Sequence, residues 1–507
     1  MRSSVLIESK KRNRYFFDKK KKTTILCHPI LYYLITLAAE GKKPDEWLEN
    51  LQEEPVTIEN VGTFSRKEIE YYYKKYLILK ENGHFEDIDQ EKRLGRRLSP
   101  SDVKESIANT NLVTFEVTDQ CSLKCAYCGY GKFYNNYDRR ENKTMDIAAG
   151  MHMLSYLQDS WNSSLNQSHD RNIYLGFYGG EPLLNFSFID KMIAYAEELK
   201  LLHNRFSFSM TTNGILVDKY MDFLAANDFN LLISLDGNEI NNQYRVFPDG
   251  KSAFLVIMKN IEALKKKHPG YFKDKVNFNA VLHNKNSVSE IFHFFKDHFG
   301  KTPRISSLNT SGINEAQKEA FWKTYANISE SLYKSEDYSM IEREMFIGLP
   351  NIQSVSTFLH SINDFSFNDY NDLLHFFDEK ERLPTGTCVP FSKKIFITVS
   401  GKILACERIG HRLVLGHVNP QAVTIDYEII AKNYNEWFDK LRKQCYNCFN
   451  ADACTQCIFN LDVTGKNPVC NGFMDSDDYS RYFSSNIDFI ESKPSVYAKI
   501  LKEVILN

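Results

Sequence analysis

At 507 residues, with 43% hydrophobic and 25% charged side chains, the chain can bury a large core and hold more than one domain. A formal net charge of −2 gives no reason to expect bulk nucleic-acid binding or a polybasic membrane surface. No apolar run approaches the roughly 20 residues of a membrane span, and the opening MRSSVLIESKKRNRYFF lacks the apolar segment of a secretory signal. The expectation is a cytoplasmic protein with no nucleic-acid and no membrane partner.

Residues 1–85 read as a first unit. RYFFDKKKKTTILCHP predicts two short strands around a lysine-rich turn, and ILYYLITLAAEG a helix closed by Gly41. FSRKEIEYYYKKYLILKENGHF predicts a second helix, with Ser65 as N-cap and Glu68 in the capping-box position, ending in a small wing or turn. Residues 86–110 are polar and charged and read as a linker. From 111 to 310, six strand candidates (LVTFEV, IYLGFY, FSFSMT, NLLISL, VNFNAVL and PRISSLN) alternate with amphipathic stretches. That alternation predicts a parallel sheet covered by helices. Residues 311–385 read as a helical connection, 386–475 as a cysteine-rich segment, and 476–507 as a tail ending in an amphipathic helix.

Eleven cysteines in a long chain without a secretory signal argue against a disulfide framework. Cys27 stands alone beside an apolar run and reads as a small buried hydrophobe. The other ten fall into two groups, 121–128 and 388–470, and clustered thiols in a reducing compartment point to metal.

Just past the first strand of the 111–310 region comes TDQCSLKCAYCGY, in which Cys121, Cys125 and Cys128 are spaced Cys-x3-Cys-x2-Cys. An iron–sulfur cubane usually takes four thiolates; three would leave one iron open for chemistry. Structural zinc wants four ligands, and no fourth is local. The later strands end in Gly179-Gly180-Glu181-Pro182, Thr211-Thr212-Asn213-Gly214, Ser234-Leu235-Asp236-Gly237 and His283-Asn284-Lys285-Asn286. In parallel α/β proteins ligands gather at the C-terminal ends of strands, so these segments together describe one pocket.

The cysteine trio, GGEP, TTNG and SLDG, in this order, resemble the radical S-adenosylmethionine (SAM) superfamily in its SPASM-domain branch, over about residues 111–475. The resemblance implies an α/β fold: a partial (β/α)6 TIM-like barrel with a C-terminal cysteine-rich SPASM iron–sulfur domain. It implies that Cys121, Cys125 and Cys128 hold a [4Fe–4S] cluster whose open iron binds SAM. An electron from a flavodoxin- or ferredoxin-type partner would then break a C–S bond of SAM and release a 5′-deoxyadenosyl radical. Gly179, Gly180, Glu181 and Pro182 would receive the methionyl amino group, with Asn213 on the same rim. Ser234 and Arg245 would contact the ribose and carboxylate. Here Asn241-Asn242 stand where the family has His-Asp before that arginine, and the loop is one residue shorter.

The C-terminal group runs Cys388, Gly401, Cys406, then Cys445-x2-Cys448-x5-Cys454-x2-Cys457, and Cys470. Spacing alone leaves zinc and iron–sulfur open. The pattern is similar to the seven-cysteine SPASM domain, with two residues where its spacer before the sixth cysteine is usually three. That likeness implies two auxiliary [4Fe–4S] clusters, one on Cys388, Cys406 and Cys457, the other on Cys445, Cys448, Cys454 and Cys470. Glu407 stands where sulfatase-maturing relatives carry an acidic catalytic base. Residues 1–85 resemble the winged-helix-like module with which enzymes of ribosomally made peptides (RiPP maturases) bind a leader by strand addition. The expected activity is therefore a radical SAM maturase that modifies, by a crosslink in the leading reading, a precursor peptide carrying a leader. A sulfatase-type maturase that forms formylglycine is the alternative.

Overall fold

The computed structural model describes residues 4–52, 54–362, 381–461, 463 and 465–503. Three antiparallel strands open the chain: β1 (Ser4–Glu8), β2 (Arg14–Asp18) and β3 (Thr23–Cys27), side by side in that order. The period-2 alternation of β2 gives its two phenylalanines opposite duties. Phe16 packs with Ile30, Leu34 and Ile69 in a core belonging to the N-terminal unit. Phe17 points the other way and packs on Tyr479 and Phe483 of the helix Ser476–Ser492, within the main core. Cys27 is buried in the first of these cores, as its apolar surroundings suggested. The helices Pro29–Ala39 and Arg66–Glu81 follow, separated by the hairpin of β4 (Val56–Ile58) and β5 (Gly62–Phe64). Ser65 and Glu68 form the reciprocal capping box at the start of Arg66–Glu81. The expected wing is smaller than its sequence, because the helix continues through ILK to Glu81 before the chain turns at Gly83.

The segment expected as a linker holds the ten-residue helix Pro100–Asn109. Ser99 and Asp102 close a capping box, Pro100 occupies the first turn, and Val103, Ile107 and Ala108 are buried. It packs against the helices Ile147–Trp161 and Tyr427–Asn447, so a polar composition conceals a one-sided apolar stripe.

Among the described residues the main sheet has ten strands. β6 (Leu112–Thr118), β7 (Asn172–Gly179), β8 (Arg205–Thr212), β9 (Asn230–Ser234), β10 (Val276–Val281) and β11 (Arg304–Ser306) are parallel neighbours in chain order. All six strand candidates are present, with a helix in each crossover. On the free side of β6 lies β12 (Ile395–Ile397), parallel to it and matching Ile395 to Val113 and Ile397 to Phe115. β13 (Lys402–Leu404), β14 (Gly416–Val418) and β15 (Val423–Thr424) extend the sheet antiparallel. The cysteine-rich segment is thus stitched to the first strand of the parallel set.

Between 311 and 385 the described residues form short helices, of which Pro350–Ser361 sends Ile352, Val355 and Phe358 into the main core. Residues 363–380 of the expected helical connection lie outside the described residues. Among the described residues no helix is long and apolar enough to cross a membrane.

Candidate active site at the strand ends

The chain leaving β6 runs through Thr118, Asp119 and Gln120 to Cys121, and the end of β7 passes directly against it. Gly180 N–H donates to the Thr118 carbonyl at 2.8 Å, and Glu181 N–H to the Gln120 carbonyl at 2.7 Å. A Cβ on Gly180 would lie 1.8 Å from the Gln120 oxygen, and one on Gly179, which has φ +139°, would lie 2.3 Å from the Thr118 oxygen. Backbone meets backbone here, so only glycine fits. Gly180→Ala is expected to cost about 1–3 kcal/mol of overpacking and to displace the Cys121 loop; thermal unfolding and iron content of the anaerobically purified variant check this.

Glu181 is fully buried. Its carboxylate accepts from Thr212 Oγ1 at 2.7 Å, Asn213 N–H at 2.8 Å and Leu183 N–H at 3.2 Å, with Pro182 opening the short turn that follows. Burial pushes its pKa up to about 7, against the pull of those hydrogen bonds. Glu181 therefore fastens the GGEP segment to the TTNG segment. Asn213 continues the chain of contacts: its Nδ2 donates to Ser122 Oγ at 3.1 Å and lies 3.6 Å from Cys121 Sγ. The loops after β6, β7 and β8 are locked together around one thiol.

Cys121, Cys125 and Cys128 are half-buried by their surface exposure. Burial pushes all three thiols up, Cys125 to about 12, while Arg140 and Arg245 pull Cys128 back. Arg140 Nη2 donates to Cys128 Sγ at 3.4 Å, and its guanidinium lies over the Tyr130 ring. Arg245 is buried and ion-paired with Asp236 at 3.0 Å. Asp236 in turn accepts from the Tyr127 hydroxyl and from Val281 N–H at 2.9 Å. Ser234 ends β9, opposite Asn279 of β10, on the same rim.

The donor set suits an iron–sulfur cluster with an anionic ligand. The Nε atoms of Arg140 and Arg245 are buried with no hydrogen-bond partner among the described residues, beside thiols that would carry negative charge as ligands. Among the described residues no three His, Cys, Asp or Glu side chains are arranged around one metal ion. Thiols that each serve a different iron of a cubane would not be.

Sequence reading missed Tyr178, next to last in β7, and Lys394, which precedes β12. The Tyr178 hydroxyl is pushed up by burial and then by the charges of Glu407, Cys128, Tyr137 and Glu116, which lie near it. Glu407 accepts from Lys394 Nζ at 2.7 Å. Burial raises its pKa, but the Lys394 ammonium and the hydrogen bonds to the carboxylate together leave it below its ordinary value. Cys406 Sγ lies 3.5 Å from the same carboxylate. The one available signal for Tyr178 was its place immediately before GGEP; Lys394 carried none.

The C-terminal cysteines sort into neighbourhoods. Burial pushes Cys445 up to about 12, and Cys454, Cys470 and Cys448 each add to the rise, so these four lie together. Cys457 has Cys388 as a neighbour. The charged neighbours of Cys406 are Glu407 and Lys394. Gly386 holds the two neighbourhoods close: a Cβ there would lie 1.8 Å from the Cys454 carbonyl oxygen. Thr387 Oγ1 accepts from Ile458 N–H at 2.7 Å.

A radical SAM superfamily profile matches residues 115–297. The cysteine-type anaerobic sulfatase-maturating enzyme of Clostridium novyi is 31% identical over 185 residues, 35% of this chain and 46% of that protein. The radical SAM cyclopropyl synthase TigE of Paramaledivibacter caminithermalis is 21% identical over 395 residues, 76% of this chain and 74% of that protein. The solved structure of native anSMEcpe with bound AdoMet and Cp18Cys peptide shares the fold, with a TM-score of 0.50 at 20% identity, covering 78% of this chain and 99% of that one. The chain spans about half the length of most of the curated relatives it matches.

Proposed function

We propose, from the radical SAM superfamily domain that residues 115–297 carry, that this chain is a cytoplasmic peptide maturase acting on a precursor with a leader. Radical SAM enzymes use S-adenosylmethionine and a [4Fe–4S] cluster. We assign that cluster to Cys121, Cys125 and Cys128. One auxiliary cluster goes to Cys445, Cys448, Cys454 and Cys470, and the other to Cys388, Cys457 and Cys406. When bound, the first cluster and SAM supply a carbon-centred radical that takes hydrogen from substrate. The chain's own residues do the rest. Glu181 and Asn213 fix the loops around Cys121, and the Nε–H groups of Arg140 and Arg245 are offered to the SAM carboxylate or the cluster edge. Tyr178 and Tyr137 line the path to Glu407, which accepts a substrate proton from the position in which Lys394 holds it. A small electron-transfer protein of flavodoxin or ferredoxin type supplies the electron.

The observation that carries the peptide reading is the N-terminal sheet. The β1 side is covered: Lys10 N–H donates to Asp488 Oδ1 at 2.8 Å, and β1 packs on the helix Ser476–Ser492. β3 is the other edge, paired with β2 alone among the described residues, and Leu26 on it is 63% exposed. An open edge with an apolar side chain suits an added peptide strand. Deleting residues 1–85 would strip Phe17 from Tyr479 and Phe483, so a point variant is the cleaner test. Leu26→Asp is expected to weaken binding of the full precursor about tenfold or more, one large apolar contact being worth roughly 1.5–3 kcal/mol, and to leave SAM cleavage without peptide unchanged. Fluorescence anisotropy with the labelled precursor reads the first, and 5′-deoxyadenosine yield the second. Unchanged affinity would end the leader reading. The sulfatase-type reading, favoured by Glu407 directly after Cys406, predicts no dependence on a leader.

A further inference from the structure

The turn between β2 and β3 carries Lys19-Lys20-Lys21-Lys22, four lysines that composition alone marks as a solvated turn. Lys20 and Lys21 are exposed, and Lys22 is half-buried. Lys19 is different: its side chain is 4% exposed. The N-terminal unit drives it into the cysteine-rich segment, where Nζ lies 3.5 Å from the Cys448 carbonyl oxygen and 5.6 Å from the centre of the Phe449 ring. The residue before it, Asp18, is also buried and is held by His84 at 2.8 Å, which fixes the turn from the other side.

The charges facing Lys19 leave it largely unspent. Asp452 is the only carboxylate among the described residues within ion-pair distance, at 3.9 Å. Asp452 already has a shorter partner, Arg93 Nη2 at 2.8 Å. Two cations thus share one anion, and the surplus positive charge sits beside Cys448. Burial, with Arg93 adding to it, holds the Lys19 pKa below its ordinary value, while the Asp452 carboxylate pulls the other way and favours the charge. In a site shielded from water such a charge acts strongly on its neighbours.

We infer that Lys19, carried in by the N-terminal unit, tunes the reduction potential of the cluster assigned above to Cys445, Cys448, Cys454 and Cys470, holding it less negative than the cysteines alone would. The potential of an iron–sulfur centre follows its net charge, its hydrogen bonds and its exposure, and a fixed buried cation favours the reduced form. The unit that would read the peptide is then also an electronic part of the enzyme. The inference rests on the cluster assignment of the preceding section.

The test is an EPR-monitored redox titration of the full chain, purified anaerobically, with iron counted in every sample. Lys19→Met keeps the length of the side chain and removes the charge. One iron–sulfur component should move to more negative potential while the others stay, and Lys19→Arg should remain close to the unaltered enzyme. Lys19→Gln removes the charge but keeps a polar side chain at this buried position; it should move the same component the same way, which decides the matter if Lys19→Met loses iron. Full iron content with no component moved in either variant overturns the inference and leaves the cluster assignment standing. An unaltered enzyme whose C-terminal cysteines hold no cluster overturns both.

Discussion

Replacing Cys121, Cys125 and Cys128 together by alanine is expected to bring reductive SAM cleavage down to the level of a protein-free control. The three thiols hang from one loop after β6, and the loops after β7 and β8 are hydrogen-bonded to that loop through Glu181 and Asn213. Among the described residues no other cysteine lies in the loops after β6, β7 and β8. The ten strands and the neighbourhood of Cys445 do not depend on the trio, so the variant should fold and keep about eight irons, four for each remaining cubane. The readout is 5′-deoxyadenosine by liquid chromatography under dithionite. Formation at the unaltered rate would remove the trio from the chemistry.

The second large effect is expected at Glu407. Glu407→Gln keeps the shape of the side chain, loses the capacity to accept a proton, and should slow formation of modified peptide by about 10²–10⁴-fold, the usual worth of a positioned general base. Uncoupled SAM cleavage should continue, because Cys121, Cys125 and Cys128 are untouched. Lys394→Met should also slow product formation, by less, since it removes the partner that holds the carboxylate in place at 2.7 Å and not the carboxylate. Mass spectrometry of the precursor, run beside the 5′-deoxyadenosine assay, separates the two activities. Equal product from Glu407→Gln and the unaltered enzyme would assign the proton to another group.

What the sequence disclosed was what short segments determine. Each strand of the parallel set announces itself by a β-branched or aromatic run, and its C-terminal punctuation falls on one rim because parallel strands share a direction. The Ser65 capping box is legible for the same reason: its two residues lie three apart. The helix Pro100–Asn109 was missed within the expected linker: Ser99, Pro100 and Asp102 spell its start, but a polar composition masked the stripe of Val103 and Ile107. Other features depend on distant pairing. β12 adds to β6 across about 280 residues of chain and has no local signature of that partner. The Asp236–Arg245 pair, the Tyr178 phenol and the Lys394–Glu407 pair exist only after the sheet forms. Lys19 is the clearest case, because one of four consecutive lysines is buried by the strand that precedes it and by a domain more than 400 residues away.

We propose that the ten cysteines of 121–470 divide into one SAM-binding set and two auxiliary sets, all iron–sulfur. Metal and sulfide analysis of the full chain, purified without oxygen and reconstituted with iron and sulfide, addresses it most directly. Three cubanes require about twelve irons and as many sulfides per chain, with broad absorption near ~400 nm of the kind such clusters give. Stoichiometric zinc, with iron at about four or fewer per chain, would contradict it.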